Sequence, residues 1–160
     1  MFTLGRLESV ARDAGLAFEA VDLDRLGAES DVIITTTSSF QPILKASQVA
    51  RGTHLACMGT DTRGKQELDT DILAGAKVFT DDVAQSASIG EAQHAVGQGL
   101  LSQGNIVEFG FVIVGHHPGR QSADEITVFD GTGVGLQDLA DASAAVDAAI
   151  AKGVAIDIDF

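Results

Sequence analysis

Short apolar runs alternate with stretches of helical spacing from residue 1 to about residue 80. The runs predict strands at Phe2–Leu4 (the end of one), Leu16–Val21, Asp31–Thr35, His54–Met58 and Lys77–Thr80. Helical spacing predicts helices or helical turns at Leu7–Ala14, Arg25–Glu29, Lys45–Ala50 and Leu68–Gly75. The β-branched run at Asp31–Thr35 is typical of a strand covered on both faces. The alternation predicts an α/β fold with a doubly wound, mostly parallel sheet and helices on both faces.

The second half of the chain is less regular. Residues 81–104 have a helical pattern without a strong apolar face, and Ile126–Phe129 predicts a further strand. A long helix is expected at about Leu136–Lys152, followed by an extended tail, with a packing face of Leu139, Ala142, Val146, Ala149 and Ile150. Because no linker or internal repeat divides the chain, residues 1–160 are predicted to form one domain.

The loop Gly59–Leu68 follows the predicted strand at His54–Met58 and leads into a helix that Asp69 or Thr70 can cap. It therefore lies at the carboxyl end of a strand, where open α/β sheets bind ligands. A carboxylate and an ammonium group four residues apart, Asp61 and Lys65, can do acid–base work there. The alternative is a solvated turn whose charges only keep it in water.

Composition narrows the classes of partner. The formal net charge of −13 would repel phosphate backbones, and the absence of Trp and Tyr leaves little to stack on bases, so nucleic acid is not an expected partner. No apolar run reaches the roughly 18 to 20 residues of a membrane span, and no signal-peptide pattern begins the chain. We expect a soluble, cytoplasmic protein, whose single cysteine excludes an internal disulfide.

A dinucleotide fold needs a first strand that leads through a glycine-rich turn into a helix. Nothing before Phe2 supplies it, and residues 130–135, Asp-Gly-Thr-Gly-Val-Gly, give only a weak version after a late strand. The pattern thus indicates an incomplete, truncated Rossmann-like domain. The truncation leaves one sheet edge and apolar faces uncovered, so we also expect the chain to self-associate.

Other polar residues have simpler interpretations. Glu67 and Glu91 are interpreted as charges at helix starts, where they favour the helix dipole. No metal site is expected at His116 and His117, because adjacent residues of an extended chain point apart and no cluster of ligands accompanies them. Cys57, in an apolar run, is interpreted as a small buried hydrophobic residue.

Several segments together resemble the ornithine cyclodeaminase/μ-crystallin family over nearly the whole chain. The matching runs are Asp31–Ser38, Pro42–Leu44, Gly52–His54, Gly59–Leu68, Gly90–Glu91, Gly119–Arg120, Ile126–Gly133 and Gln137–Leu139. The Gly-x-Asp-x-x-Gly-Lys-x-Glu-Leu loop, followed by Ile-Thr-x-Phe-Asp-x-x-Gly, is the most specific pair. By this resemblance, the chain corresponds to the family's last half. The family's basic substrate clamp, oligomerisation sheet and glycine loop belong to the other half.

The resemblance implies an NAD(P)-dependent reaction at an α-amino or cyclic imino acid. Family members convert L-ornithine to L-proline and ammonia, reduce cyclic ketimines, oxidise alanine, or bind NADPH with little turnover. Three hypotheses follow for this chain: an enzyme that is active with its other half, a binding module without turnover, and a folded relic. The expected partners are a small amino or imino acid and either a second copy or the missing N-terminal half.

The resemblance also implies roles for individual residues. Asp61 would be the catalytic acid–base group beside the nicotinamide, and Lys65 would contact the cofactor or hold the loop. Thr35 and Thr36 would line the ribose–nicotinamide channel. Arg6 matches the adenosine-ribose position, where an arginine favours NADP over NAD. Gly131, also in the cofactor site, stands where a cyclodeaminase commonly has serine, which weakens an ornithine assignment. Without the glycine loop, the chain alone is expected to bind dinucleotides weakly or not at all.

Overall fold

The computed structural model describes residues 4–158, which form a parallel α/β fold. The strands are β1 (Val32–Thr35), β2 (Phe40–Leu44), β3 (His54–Cys57), β4 (Gln66–Leu68), β5 (Lys77–Thr80), β6 (Ile106–Glu108) and β7 (Thr127–Asp130). The helices are α1 (Leu4–Asp13), α2 (Leu23–Glu29), α3 (Thr70–Gly75), α4 (Val83–Ser88), α5 (Gln93–Gly97), α6 (Phe109–Ile113) and α7 (Gly135–Ala151). Two 3-10 turns, Ala46–Gln48 and Gln103–Asn105, complete the elements. The predicted parallel sheet is confirmed.

The main sheet has five parallel strands in the order β1-β3-β7-β5-β6. Ile33, Leu55, Val128 and Val78 lie side by side across four strands and are all buried. Helices on that face add buried leucine, isoleucine and alanine side chains to the same core. Because the strands are parallel and in register, their last residues form one row: Thr35, Cys57, Asp130 and Thr80.

A second, two-stranded parallel sheet joins β2 to β4. Its register pairs Phe40 with Gln66 and Leu44 with Leu68. The pairing brings the segment after β1 against the end of the loop after β3. The sequence pattern missed both strands: β2 contains a proline, and β4 has only three residues, too few for a period of two to show.

Two strand predictions are corrected by the structure. Leu16–Val21 is not a strand, because it is hydrogen-bonded to none of the described strands and a strand requires such a neighbour. Leu4 of the predicted strand at Phe2–Leu4 begins α1 instead, and residues 1–3 lie outside the described part of the chain. Gly15 does end α1 as expected, in a left-handed conformation at φ +69°.

The expectation that β1 is covered on both faces is also wrong. Ile33 and Thr35 are buried, whereas Val32 and Ile34 are 57% and 67% exposed. The reason is that the described helices cover only one face of β1, which among the described strands pairs with β3 alone. Val32 and Ile34 therefore lie open on the other face of the sheet.

The terminal helices are equally open. Neither α1 nor α7 has a buried residue, so the expected packing face of the long helix is exposed: Leu139, Val146 and Ile150 all lie on the surface. Helical spacing correctly predicted that these residues share a face, but nothing among the described residues packs on it. No helix in residues 4–158 is long and apolar enough to cross a membrane.

Candidate active site

The loop between β3 and β4 holds an ion pair. Lys65 Nζ donates to Asp61 Oδ1 at 2.7 Å and to the carbonyl oxygen of Gly59 at 3.2 Å. Thr62 Oγ1 donates to the same Asp61 oxygen at 3.0 Å. The Lys65 side chain is only 18% exposed, whereas the Asp61 side chain is 60% exposed. The lysine is thus built into the loop and holds a carboxylate that faces out of it.

This arrangement sets the protonation state of Asp61. The hydrogen bond from Lys65, with a smaller one from Thr62, lowers the pKa of Asp61 below its usual value. The side chain is therefore a carboxylate at neutral pH. It can accept a proton from an amine or balance a positive charge on nitrogen.

Glu67, next to this loop in β4, is completely buried. Its Oε2 accepts hydrogen bonds from Thr35 Oγ1 at 2.6 Å and from the Gly59 backbone N–H at 3.2 Å. Its Oε1 accepts one from the Thr37 backbone N–H. Glu67 therefore ties the end of β1 to the start of the loop that carries Asp61.

Glu91 is the second buried carboxylate of the site. It accepts from the backbone N–H of Glu67 at 2.9 Å, from that of Leu68 at 2.6 Å, and from the Thr60 hydroxyl. Burial raises the pKa of Glu91 to about 7, although these hydrogen bonds act in the opposite direction. Glu91 thus holds the backbone of β4 and the Thr60 side chain of the loop in front of it.

Asp130, the last residue of β7, is buried beside the same edge. Its Oδ2 accepts from Ser86 Oγ at 2.6 Å and from the Ala92 backbone N–H at 3.2 Å, while its Oδ1 finds no partner among the described residues. Burial is the main reason why the pKa of Asp130 rises to about 6.

Asp81 holds the glycine-rich turn that follows Asp130. It accepts from the hydroxyl of Thr132 at 2.6 Å and from the backbone N–H groups of Thr132 and Gly133, at 3.1 and 2.8 Å. Burial raises the pKa of Asp81, but these hydrogen bonds outweigh it and the pKa is lowered overall. The turn after β7 is thereby fixed next to the end of β5.

The buried carboxylates are what the sequence interpretation missed. Glu67 and Glu91 were expected at helix starts, yet Glu67 lies in a strand, and Glu91 lies just before α5 with its carboxylate on the backbone of β4. Local spacing holds no signal for either role, because their partners come from distant segments. Glu67 could be found only through the Gly59–Leu68 motif that contains it.

The structure brings most of the predicted site residues to one edge of the sheet. Thr35 ends β1, Thr36 follows it on the surface, and Gly131 follows β7 and donates its N–H to the carbonyl oxygen of Cys57 at 2.9 Å. Asp61 and Lys65 lie on the loop after β3. Arg6 lies in α1, an exposed helix without buried residues.

Two further predictions concern residues away from the loop. Cys57 is fully buried, and burial raises the pKa of its thiol well above the usual value, so its interpretation as a buried hydrophobic residue is confirmed. His116 and His117 lie against different phenylalanine rings, Phe111 and Phe79, at 6.5 and 5.8 Å between ring centroids. Residues 4–158 hold no group of three or more side chains suited to a metal ion.

The edge has the donor and acceptor set that the nicotinamide end of a dinucleotide requires. The Thr35 and Thr36 hydroxyls suit ribose or carboxamide groups, and the glycines of the turn after β7 allow a close approach of the ligand. A Cβ at Gly131 would lie 2.7 Å from the end of the Met58 side chain, so a bare backbone suits this position. The ends of β1, β3 and β7 therefore fit a nicotinamide cofactor.

Comparison with known proteins identifies the family of the chain. The model of the ornithine cyclodeaminase/mu-crystallin family matches residues 10–153. An iminosuccinate reductase of Paracoccus denitrificans is 57% identical over 98% of this chain and 49% of its own. Its crystal structure in complex with NAD+ matches with a TM-score of 0.94 at 56% identity, over 98% of this chain and 48% of that one.

A second relative gives the same result. An alanine dehydrogenase of Archaeoglobus fulgidus is 39% identical over 95% of this chain and 47% of its own. The structure of an archaeal alanine dehydrogenase dimer with bound NAD matches with a TM-score of 0.91 at 38% identity, over 98% of this chain and 49% of that one. The chain thus spans about half the length of the curated relatives it matches.

Proposed function

The chain belongs to the ornithine cyclodeaminase/mu-crystallin family, and we propose that it serves the NAD(P)-dependent reduction of an imino acid. The first candidate substrate is iminosuccinate, because a reductase named for it is 57% identical over 98% of the chain. Since the chain spans about half the length of such relatives, the proposal concerns the activity of the whole protein.

One observation carries the proposal: a carboxylate, Asp61, is held by Lys65 at 2.7 Å at the carboxyl end of β3. Reduction of a C=N bond adds a hydride to carbon and leaves a proton on nitrogen, and bound NAD(P)H supplies the hydride. The Asp61 carboxylate would stabilise the cationic iminium and so make its carbon a better hydride acceptor. In the reverse direction it would take the proton from the amine.

The other residues of the edge would hold the cofactor and the loop. Thr35 and Thr36 would contact the ribose and nicotinamide, and Gly131 would let the ring approach. Lys65 would keep Asp61 in place. Arg6 supports a preference for NADP, since an arginine near the adenosine ribose accommodates a 2′-phosphate. Two solved relatives contain NAD+ or NAD, and titration of the protein with NADH and NADPH measures the preference.

The proposal is tested by following NADH and NADPH oxidation with iminosuccinate, formed in place from oxaloacetate and ammonia. Pyrroline-2-carboxylate, pyruvate with ammonia, and L-ornithine with NAD+ serve as competing substrates. Each is assayed with the chain alone and with the chain mixed with the N-terminal half of the Paracoccus relative. We expect iminosuccinate to be reduced fastest and Asp61→Asn to abolish most of the rate.

Two results would change the assignment. Binding of NADH or NADPH without turnover of any substrate would favour the binding module over the enzyme. Proline formation from ornithine at a higher rate than imine reduction would contradict the choice of reaction.

We also propose that the protein is a homo-oligomer. The open face of the sheet and the apolar stripe of α7 are surfaces that a second copy can bury. An archaeal relative has been solved as a dimer. Light scattering at tens of micromolar should give at least a dimeric mass, and a clean monomer would contradict this part of the proposal.

A further inference from the structure

We propose that Glu67 is a positioning residue, which fixes both the Thr35 hydroxyl and the loop that carries Asp61. The inference rests on the proposed function, because it concerns the same site. It is carried by geometry: one buried carboxylate joins the ends of two neighbouring parallel strands, β1 and β3, where the cofactor is expected.

A continuous set of contacts leads from β1 to the candidate catalytic residue. Glu67 accepts from the Thr35 hydroxyl and from the Gly59 N–H. The carbonyl oxygen of Gly59 in turn accepts from Lys65 Nζ at 3.2 Å, and the same Nζ lies 2.7 Å from Asp61 Oδ1. The position of the Asp61 carboxylate relative to β1 thus depends on the carboxylate of Glu67.

The approach of the two segments is too close for a larger residue at Gly59. A Cβ there would collide with the backbone of Thr37 and with Glu67 Oε1. The Thr37 and Glu67 groups therefore lie directly against the bare backbone of Gly59. Glu91 holds the backbone of Glu67 in place, because its carboxylate accepts a hydrogen bond from the Glu67 N–H at 2.9 Å.

Only a carboxylate satisfies all three partners of Glu67. The Thr37 and Gly59 N–H groups can only donate, and they face different oxygens of the side chain. A glutamine amide has one oxygen, so in either orientation its NH₂ group would face one of these N–H groups. Glu67→Gln must therefore leave a backbone donor unpaired, although it changes neither the size nor the shape of the side chain.

Glu67 also decides how Thr35 meets a ligand. Because the Thr35 hydroxyl donates its proton to Glu67 Oε2 at 2.6 Å, this hydroxyl has only lone pairs left to offer a ligand that reaches it. The group bound there must then be a donor, such as a ribose hydroxyl or the carboxamide NH₂ of a nicotinamide. If the amide of Glu67→Gln donated to Thr35 instead, the hydroxyl would turn and present its proton to that donor.

The first test measures hydrogen exchange of backbone amides in the full chain. Glu67→Gln should speed exchange of the Thr37 or Gly59 amide by roughly ten- to a hundredfold, the usual effect of losing a hydrogen bond to a charged group. The amides of Met58 and Gly131, which bond to carbonyl oxygens of neighbouring strands, should be unaffected. Glu125→Gln makes the same chemical change at the opposite end of the sheet and should leave all four amides unchanged.

The second test asks whether Thr35 acts through Glu67. Because the chain alone is expected to bind dinucleotides weakly or not at all, each protein is mixed with the N-terminal half of the Paracoccus relative. NADH binding to the mixture is followed by cofactor fluorescence for the parent chain, Thr35→Val, Glu67→Gln and the double variant. If Glu67 positions Thr35, the double variant binds no more weakly than the weaker single variant, whereas independent contributions multiply. If the losses of NADH affinity in the two single variants multiply in the double variant, Glu67 does not act through Thr35 and the proposal is overturned.

The two tests separate this inference from the proposed function. If none of the mixtures binds NADH, the cofactor assignment fails, and hydrogen exchange still decides whether Glu67 holds the loops. If exchange of both amides is unchanged in Glu67→Gln, the positioning role is refuted even where NADH binds.

Discussion

Replacing Glu91 with glutamine should change how stability depends on pH. In the folded protein the pKa of Glu91 is about 7, against 4.5 for the group in its ordinary state. Between these values the folded protein keeps a proton that the unfolded chain has lost. Unfolding therefore becomes easier as pH rises from about 4.5 to about 7, and the lost stability is not regained at higher pH.

The size of this loss of stability follows from the two pKa values of Glu91. One pKa unit corresponds to about 1.4 kcal/mol, so the separation between 4.5 and about 7 corresponds to about 3 kcal/mol. Most of this, about 2 to 3 kcal/mol, falls between pH 5 and pH 8. Asp130, with a pKa of about 6, also makes the free energy of unfolding fall as pH rises, over a lower pH range. The variant keeps Asp130 and therefore keeps this part of the pH dependence.

The glutamine variant should fold, because its partners can adapt. The amide oxygen can accept from the N–H groups of Leu68 and Glu67, and the NH₂ group can donate to the Thr60 hydroxyl, which turns to accept. The variant should thus lose the part of the pH dependence that Glu91 causes. Its free energy of unfolding, relative to that of the parent, should rise as the pH rises.

Urea unfolding followed by far-UV circular dichroism measures this, since the chain has no Trp or Tyr for intrinsic fluorescence. Glu125→Gln is the control. Hydrogen bonds from Gln121 and then Lys77 lower the pKa of Glu125, so it is ionised in both states from pH 5 to pH 8 and should not affect the slope. Parallel curves of unfolding free energy against pH for the parent and Glu91→Gln would refute the reasoning, because Glu91 would then have the same pKa in the folded and unfolded states.

Three further predictions concern the loop. In the whole protein, Asp61→Asn should lower the turnover number roughly 10²- to 10⁴-fold with little change in cofactor affinity, and a rate within threefold of the parent would exclude Asp61. Lys65→Met should raise the pKa of Asp61 towards its usual value, as followed by NMR titration, and should weaken NADH binding more than turnover; an unmoved pKa would contradict the pairing. Gly59→Ala should destabilise the fold by about 1–3 kcal/mol in urea unfolding, because its Cβ meets Thr37 and Glu67. Its control, Gly97→Ala, meets nothing within 4 Å, and equal effects of the two changes would refute the close approach.

The main sheet was predictable because its strands carry their own signal. The runs at β1, β3, β5 and β7 are apolar and bounded by polar or glycine residues, and all four form strands. Asp69 caps α3 as expected, by accepting from the N–H of Asp71 at 3.3 Å. Where a segment depends on a distant partner, the local pattern fails. Leu16–Val21 has the composition of a strand but pairs with none of the described strands, whereas Gln66–Leu68 has little strand character and is paired with β2.

In the candidate site, too, contacts between residues close in the sequence were predictable and contacts between distant residues were not. Asp61 and Lys65 are close in the sequence, so their spacing could single them out as an acid–base pair, and the structure places them 2.7 Å apart. The carboxylates of Glu67 and Glu91 contact groups 8 to 32 residues and 23 to 31 residues away, respectively. Such contacts arise only once the sheet has brought the strand ends together. The catalytic and cofactor roles of Asp61, Thr35, Thr36, Lys65, Arg6 and Gly131 stay predictions.

The carboxylates of Glu67 and Glu91 have a consequence for how the protein can evolve. Four of their hydrogen bonds come from main-chain N–H groups, of Thr37, Gly59, Glu67 and Leu68, and every amino acid except proline provides such a group. Side chains at exposed loop positions such as 62 and 63 can therefore be exchanged while the loop keeps its shape. We expect a new substrate range to arise through such exchanges of loop side chains, while Glu67 and Glu91 are retained.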